Sequence, residues 1–202
     1  MTIQMTSRRY LQIGAAIVVV ALAAWGASSV LERMVSPQPA PSGAPASAAA
    51  AATVPHIIAT LYYATSDGQA LAAVKREVPL AEGVRAQGRQ ILQSQLDAAP
   101  APFLSVIPSG TMLRAFYITE RGEAFVDLSP EISTAHPGGS TNELLTVYAI
   151  VNAVTTNLSS IQRVQILIGG READTLAGHV DLRRPFEREL SLVREQQIKT
   201  TQ

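Results

Sequence analysis

The chain of 202 residues balances 16 Lys+Arg against 16 Asp+Glu, a formal net charge of zero, and its length leaves room for one ordinary domain plus appendages. That balance excludes the broad basic footprint with which nucleic-acid binders neutralise phosphates. The absence of Cys excludes a disulfide framework, a thiolate metal site, a Cys nucleophile and a lipidated Cys anchor.

Residues 10–31, YLQIGAAIVVVALAAWGASSVL, carry no charge, and such a stretch at about 1.5 Å per residue reaches about 33 Å, close to the hydrocarbon thickness of a bilayer. Arg8 and Arg9 precede it without a nearby acid, so the positive-inside bias places residues 1–9 in the cytoplasm and everything after the span outside. A cleaved signal peptide is the alternative, with Gly26, Ala27 and Ser28 as the small residues near a cut. The uncleaved anchor is preferred because the apolar run fills the span and Trp25 sits awkwardly in an A-x-A-like site. Both readings export the rest of the chain. Residues 32–55 read as a linker: from Ser36 to Pro55, 13 of 20 residues are Pro or Ala. Such a segment has too few apolar groups to fold and acts as an extended spacer.

From His56 onward apolar segments alternate with turn residues. Ile57 to Ala64 and Leu71 to Val78, separated by Thr65-Ser66-Asp67-Gly68, predict a β-hairpin whose second arm, with Lys75, Arg76 and Glu77, suits an exposed edge strand. Glu82 to Leu96 predicts an amphipathic helix with Val84, Gly88, Ile91, Leu92 and Leu96 inward and Arg85, Arg89 and Gln93 outward. Two strands follow, Met112 to Thr119 and Glu123 to Leu128, joined through Glu120-Arg121-Gly122. Ser140 to Glu143 has the S-x-x-E form of a capping box. The helix it opens carries Leu144, Val147, Tyr148, Val151, Val154, Thr155 and Leu158 as its inward stripe. Val164 to Ile168 predicts a buried strand, Gly169-Gly170 a tight turn, and Glu172 to Leu176 a weaker returning strand. The tail, residues 183–202, is expected to be partly helical from Pro185, with Phe186, Leu190 and Val193 at helical spacing. The order predicts an α+β fold with helices packed on a mixed β-sheet over residues 56–182.

No constellation among these residues specifies a reaction. His56, His136 and His179 lack the short spacings of zinc ligands. Asp127, His136 and Ser140 form a nucleophile trio only on paper, with no G-x-S-x-G elbow. Gly138-Gly139-Ser140-Thr141 before a helix resembles an anion cradle but lacks the P-loop Lys, and capping explains it. Arg183, Arg184 and Arg188, and the Arg85/Arg89 pair, are diluted by acids, and residues 55–190 sum to a net charge of −3. No catalytic residue, cofactor or metal is therefore expected. A partner surface is expected at the edge strand around Lys75, Arg76 and Glu77, where an unpaired ladder can accept another strand.

Read in order, TLYYATSDGQALAAVKREVPL, IPSGTMLRAFYI, GEAFVDLS, GGSTNELLTVYAIVNAVT and VQILIGG resemble the GerM-type (GerMN) domain of sporulation and spore-germination proteins, from about Ile57 to Leu182. The resemblance implies a non-catalytic envelope module, carried by a membrane anchor or lipoprotein signal and related in shape to the ring-building domains of secretion-like assemblies. The chain departs from a lipoprotein pattern by lacking Cys, and it holds one copy where spore-forming representatives resemble tandem arrays. The expectation is a bacterial cytoplasmic-membrane protein with its domain extracytoplasmic, acting on an envelope protein or on a second copy of itself. A peptidoglycan- or envelope-glycan-binding module is the alternative, and no nucleic-acid partner is expected.

Overall fold

The computed structural model describes residues 54–194, all within the second of the chain's two compact units, Ala52–Gln202. The stub at 1–9, the span at 10–31, nearly all of the 32–55 linker and the end of the tail lie outside the described residues. Among the described residues, no helix is long and apolar enough to cross a membrane.

The opening hairpin forms as β1 (His56–Ala64) and β2 (Leu71–Pro79), antiparallel, with Gly68 supplying the positive φ of 67° that its turn requires. Pro79 is the last residue of β2, at a position whose backbone nitrogen faces away from β1, where its missing N–H costs the hairpin no bond. Next come α1 (Val84–Leu96), β3 (Leu113–Ile118) and β4 (Glu123–Leu128). A short helix, α2 (Glu131–Thr134), leads to the long α3 (Ser140–Asn157), then β5 (Arg163–Ile168) and β6 (Phe186–Glu187). The expected single sheet is in fact two: β1-β2 alone, and a mixed four-stranded sheet in the order β3-β4-β5-β6. β4 and β5 run parallel, because α3 between them carries the chain back across the sheet. Both long helices lie between the sheets, α1 against β1, β2 and β3, and α3 against β1, β5 and β6. The core fills that space with Leu61, Tyr63, Leu71, Ile91, Leu92, Phe116, Val126, Ile150 and Ile166.

Expectations of side-chain direction change on both helices. α3 is covered on several sides, so Leu145, Ala149, Ile150 and Ala153 are buried along with the predicted stripe, while Leu144 is only partly so. On α1, Val84 is exposed, and the buried face includes two amides, Gln87 and Gln95. Both amides complete the backbone of neighbouring segments. Gln95 accepts from the Tyr62 N–H (2.9 Å) and donates to the Tyr62 carbonyl (2.6 Å). At the end of α3, Asn157 does the same for Thr60, at 2.8 and 2.7 Å. Ala64 then exchanges two backbone bonds with Leu104. A side-chain amide has the donor and acceptor of a peptide group, so two helices and one loop substitute for a missing strand along the outer edge of β1.

The last two segments also differ from expectation. Glu172 to Leu176 is not a strand: Arg171 turns back on Ile168, and Thr175 bridges Asp181. The stretch after Pro185 is strand β6 rather than helix, because Val164 pairs with Phe186, whose ring meets Tyr148 edge-on at 5.7 Å and 84°.

Gly88 sits where α1 comes closest to β3. A Cβ there would overlap Cε1 of the fully buried Phe116 and lie 2.8 Å from its Cζ and 3.0 Å from Cδ1 of Leu158. Alanine raises helix propensity by up to about 1 kcal/mol, but overpacking a filled core costs about 1–3 kcal/mol. Gly88→Ala should therefore destabilise the domain by about 1–2 kcal/mol, read as a lower urea midpoint; a higher midpoint contradicts this packing.

Candidate functional site

The residues that carry the sequence motifs are occupied in holding loops to the core. Asp127, at the end of β4, accepts from the Gly170 N–H at 2.7 Å and pairs with Arg114 at 3.2 Å, tying the Asp-Leu-Ser segment to the Gly-Gly turn after β5. Ser129 Oγ accepts from the Met112 N–H, and the Ser129 N–H returns a bond to the Met112 carbonyl, both at 2.9 Å. Thr146 on α3 donates to the Val106 carbonyl at 2.7 Å, fixing the loop before β3.

Glu143 departs most from expectation. Instead of reaching back to cap its own helix, its carboxylate lies fully buried and points at the loop after β5. Oε2 accepts from the backbone N–H groups of Ala177 (3.1 Å), His179 (3.0 Å) and Val180 (2.9 Å), and Oε1 takes the His179 Nδ1–H at 2.7 Å. Ser140 is the first helical residue rather than the cap. Gly139, with φ of 90°, takes the cap position, and no side chain caps the helix. Burial works against the charge of Glu143, but the Val180, His179 and Ala177 donors outweigh it and hold the carboxyl at about 2.

His136 belongs to a second network. The Gly138 N–H donates to its Nδ1 at 3.0 Å, so that nitrogen is unprotonated and Nε2–H donates to Thr146 Oγ1 at 2.9 Å. Protonation would oppose the Gly138 donor. Burial is the main cause that lowers this imidazole below its usual range, with the Glu143 charge acting against it.

Asp127 and His136 of the paper trio thus have separate partners, Arg114 with Gly170 and Thr146 with Gly138. Among the described residues, no three His, Asp or Glu converge to hold a metal. His56 opens β1, and His179 is bound to Glu143. Arg183 pairs with Asp181 at 2.7 Å, while Arg85 donates to the Phe116 carbonyl and lies 5.4 Å from the Tyr117 ring centre. A cleft of about 190 Å³ is lined by Ala64, Leu104, Val106, Pro108, Pro137 and Asn142. Another, of about 380 Å³, is walled by Thr155, Thr156, Ser159, Gln162, Glu187 and Arg188, without an aromatic face.

The edge strand offers a different kind of site. Thr60 and Tyr62 bond sideways to Asn157 and Gln95, so their β2 partners Lys75 and Ala73 must also turn their backbone groups outward, and Glu77 follows in the same alternation. Ala73, Lys75 and Glu77 are all exposed, and no described residue pairs with their N–H and C=O groups. Of the three predicted partner residues, Lys75 and Glu77 therefore face outward. Arg76 lies on the other face, half-buried, donating to Tyr63 Oη at 2.9 Å and to the Ala98 carbonyl.

Replacing Glu143 by Gln leaves donors facing a neutral amide and should cost about 2–4 kcal/mol in unfolding experiments at pH 7. Because the folded carboxyl is held at about 2 against 4.5 for an unperturbed group, the wild-type advantage is complete above pH about 4.5 and lost as pH falls toward 2. Equal stabilities at pH 7 contradict the assignment. For His136 the neutral form is favoured, so stability is fully present above the unfolded value of about 6.5 and declines as pH falls through the lower folded value. His136→Gln should flatten the decline between pH 7 and 5; an unchanged slope contradicts it.

Comparison with known proteins agrees with this geometry. The family model described as "Germane: Sporulation and spore germination" matches residues 60–174, from the middle of β1 into the loop after β5. The tandem GerMN domains of the sporulation protein GerM from Bacillus subtilis superpose with a TM-score of 0.52 at 19% identity, covering 66% of this chain and 46% of that one, which shows a shared fold. The first GerMN domain of the same protein gives a TM-score of 0.48 at 20% identity, covering 65% of this chain and 98% of that one. A provisionally described lipoprotein of Clostridium perfringens gives 0.49 at 25% identity, covering 68% and 91%. No curated protein matches the chain. With its motif residues placed as internal ties and more than half its length matched by the family model, the chain belongs to the GerMN family of sporulation and spore-germination domains.

Proposed function

We propose that this protein is a single-pass membrane protein whose extracytoplasmic GerMN domain works by protein association, without catalysis, in the bacterial envelope. The outward-turned backbone of Ala73, Lys75 and Glu77 carries this reading. An open ladder is the part of a folded domain that can bind another chain through main-chain hydrogen bonds. Anchoring rests on the uncharged residues 10–31 after Arg8 and Arg9.

The absence of catalysis is supported by where the reactive residues point. Asp127, Glu143 and His136 are each bonded to internal partners, and the one hydroxyl beside an imidazole among the described residues, Thr146 against His136, is buried and donates to the Val106 carbonyl. A glycan-binding groove fits less well, since sugar faces stack on exposed aromatic rings. Tyr117 is the only aromatic more than half exposed among the described residues, and Arg85 lies over it.

A photoreactive residue at Lys75, introduced in the native cell, should yield a discrete adduct with one protein or with a second copy. The same probe at Arg121 in the β3–β4 turn serves as the control for nonspecific capture. Adducts with the sacculus alone, or indistinguishable patterns from the two positions, would overturn the association reading.

A further inference from the structure

The outer edge of β2 is open over a short window with a boundary at each end. At its start Leu71 is taken: its N–H donates to the Leu192 carbonyl and its carbonyl accepts from the Arg194 N–H, each at 2.8 Å, with Val193 alongside in parallel. At its end Pro79 has no N–H to offer, and its carbonyl accepts from Gln87 Nε2 at 3.1 Å. Between the two, Ala73, Lys75 and Glu77 turn their backbone groups outward, and no described residue meets them.

We propose that this window binds the same window of a second copy of the chain, antiparallel, about a two-fold axis at Arg76, so that two hairpins join into one sheet. An isologous contact sets each residue of β2 against a residue of the same strand, and only a few registers bring outward groups together. With the axis at Arg76, Lys75 of each copy stands opposite Glu77 of the other, and each such pair exchanges both of its main-chain bonds. Opposite charges directly across an antiparallel ladder stabilise it, and like charges work against it. The neighbouring registers fail. An axis at Lys75 sets Lys75 against Lys75 and brings Pro79 of one copy onto Leu71 of the other, where Val193 already lies. An axis at Glu77 sets Glu77 against Glu77 and leaves Lys75 facing Pro79, which cannot return a bond.

The opposite face of the strand agrees with the axis at Arg76. Each Arg76 guanidinium is drawn back over its own hairpin, bonded to Tyr63 Oη at 2.9 Å and to the Ala98 carbonyl at 3.5 Å, which directs the two cations away from each other. Val74, partly buried, and Val78, fully buried, come opposite one another across the contact, an apolar cross-strand pair. The inference rests on the association reading and names its partner as the chain itself. Exposed ion pairs contribute little affinity, so their effect is to select the register. A ladder this short is a weak contact in dilute solution, and confining the copies to one membrane surface raises their effective concentration.

The chain is free of Cys, which allows the register to be read by disulfide formation. Two full-length variants, Lys75→Cys and Glu77→Cys, carrying different tags and produced together in the native cell, should on oxidation form the mixed disulfide about tenfold faster than either variant bridges to itself, because only the unlike positions face each other at disulfide distance. Mixed and self bridges at equal rates, or mixed bridging no faster than between Arg121→Cys and Glu77→Cys, would overturn the proposal. Charge gives a second readout, from energy transfer between full-length chains in phosphatidylcholine vesicles, each carrying a dye at Arg121→Cys. Either Lys75→Glu or Glu77→Lys alone puts like charges in both pairs and should weaken self-association by about tenfold, and mixing the two variants should restore it. Association unchanged by the reversals, or not restored in the mixture, would overturn it. Capture at Lys75 separates this inference from the reading it rests on. A discrete adduct with a different protein, and no mixed bridge, keeps the association reading and overturns the second copy as its partner. No adduct and no bridge removes both.

Discussion

Taking a carboxylate out of water costs several kcal/mol unless donors replace the solvent it loses. Glu143 makes that exchange completely, with three backbone N–H groups and one imidazole N–H around two oxygens. The consequence reaches well beyond α3. The segment from Gly169 to Leu182 contains no regular strand or helix, and its own backbone bonds are few. Its start is tied to β4 through Asp127 and Leu128, and the rest is held by the carboxylate it surrounds and by Gln165, which donates to the Leu182 carbonyl at 2.6 Å. Leu176 and Leu182 of that loop are buried in the core. β6, which begins at Phe186, then has a fixed point from which to reach β5.

The same device recurs with neutral groups. Gln95, Asn157 and Gln87 are polar residues on helix faces that ordinarily pack apolar side chains, and each satisfies backbone that would otherwise be stranded. Their effect on the hairpin is asymmetric. β1 is closed by amides from α1 and α3, whereas among the described residues the outer edge of β2 meets only Leu192 and Arg194, at its first residue. The edge the fold leaves open is therefore determined by which strand the helix ends face. That asymmetry connects the packing of the core to the association we propose.

Much of the architecture was legible in the sequence, because it rests on local rules. The hairpin, its Asp67-Gly68 turn, the β3–β4 pair and the Gly169-Gly170 turn follow from alternation and from glycines at positive φ. The exposed character of Lys75 and Glu77 was legible for the same reason, and the motif resemblance identified the family. What failed depended on contacts distant in sequence. Ser140 and Glu143 satisfy the pattern of a capping box, but a buried cluster of N–H donors more than thirty residues later binds the carboxylate more strongly than one exposed helix end. Helical spacing after Pro185 was overridden by an available edge on β5 and by the Tyr148 ring. The inward amides of α1 could not be read from periodicity, which ranks Gln as solvent-facing.

The central claim is that Glu143 is an ionised structural tie rather than a helix cap. Following its side-chain carboxyl carbon by NMR as pH is lowered tests this directly. The account predicts a midpoint at about 2, with the amide protons of Ala177, His179 and Val180 shifting in the same transition. A midpoint at or above the ordinary value of 4.5, with those three amides unmoved, would contradict it.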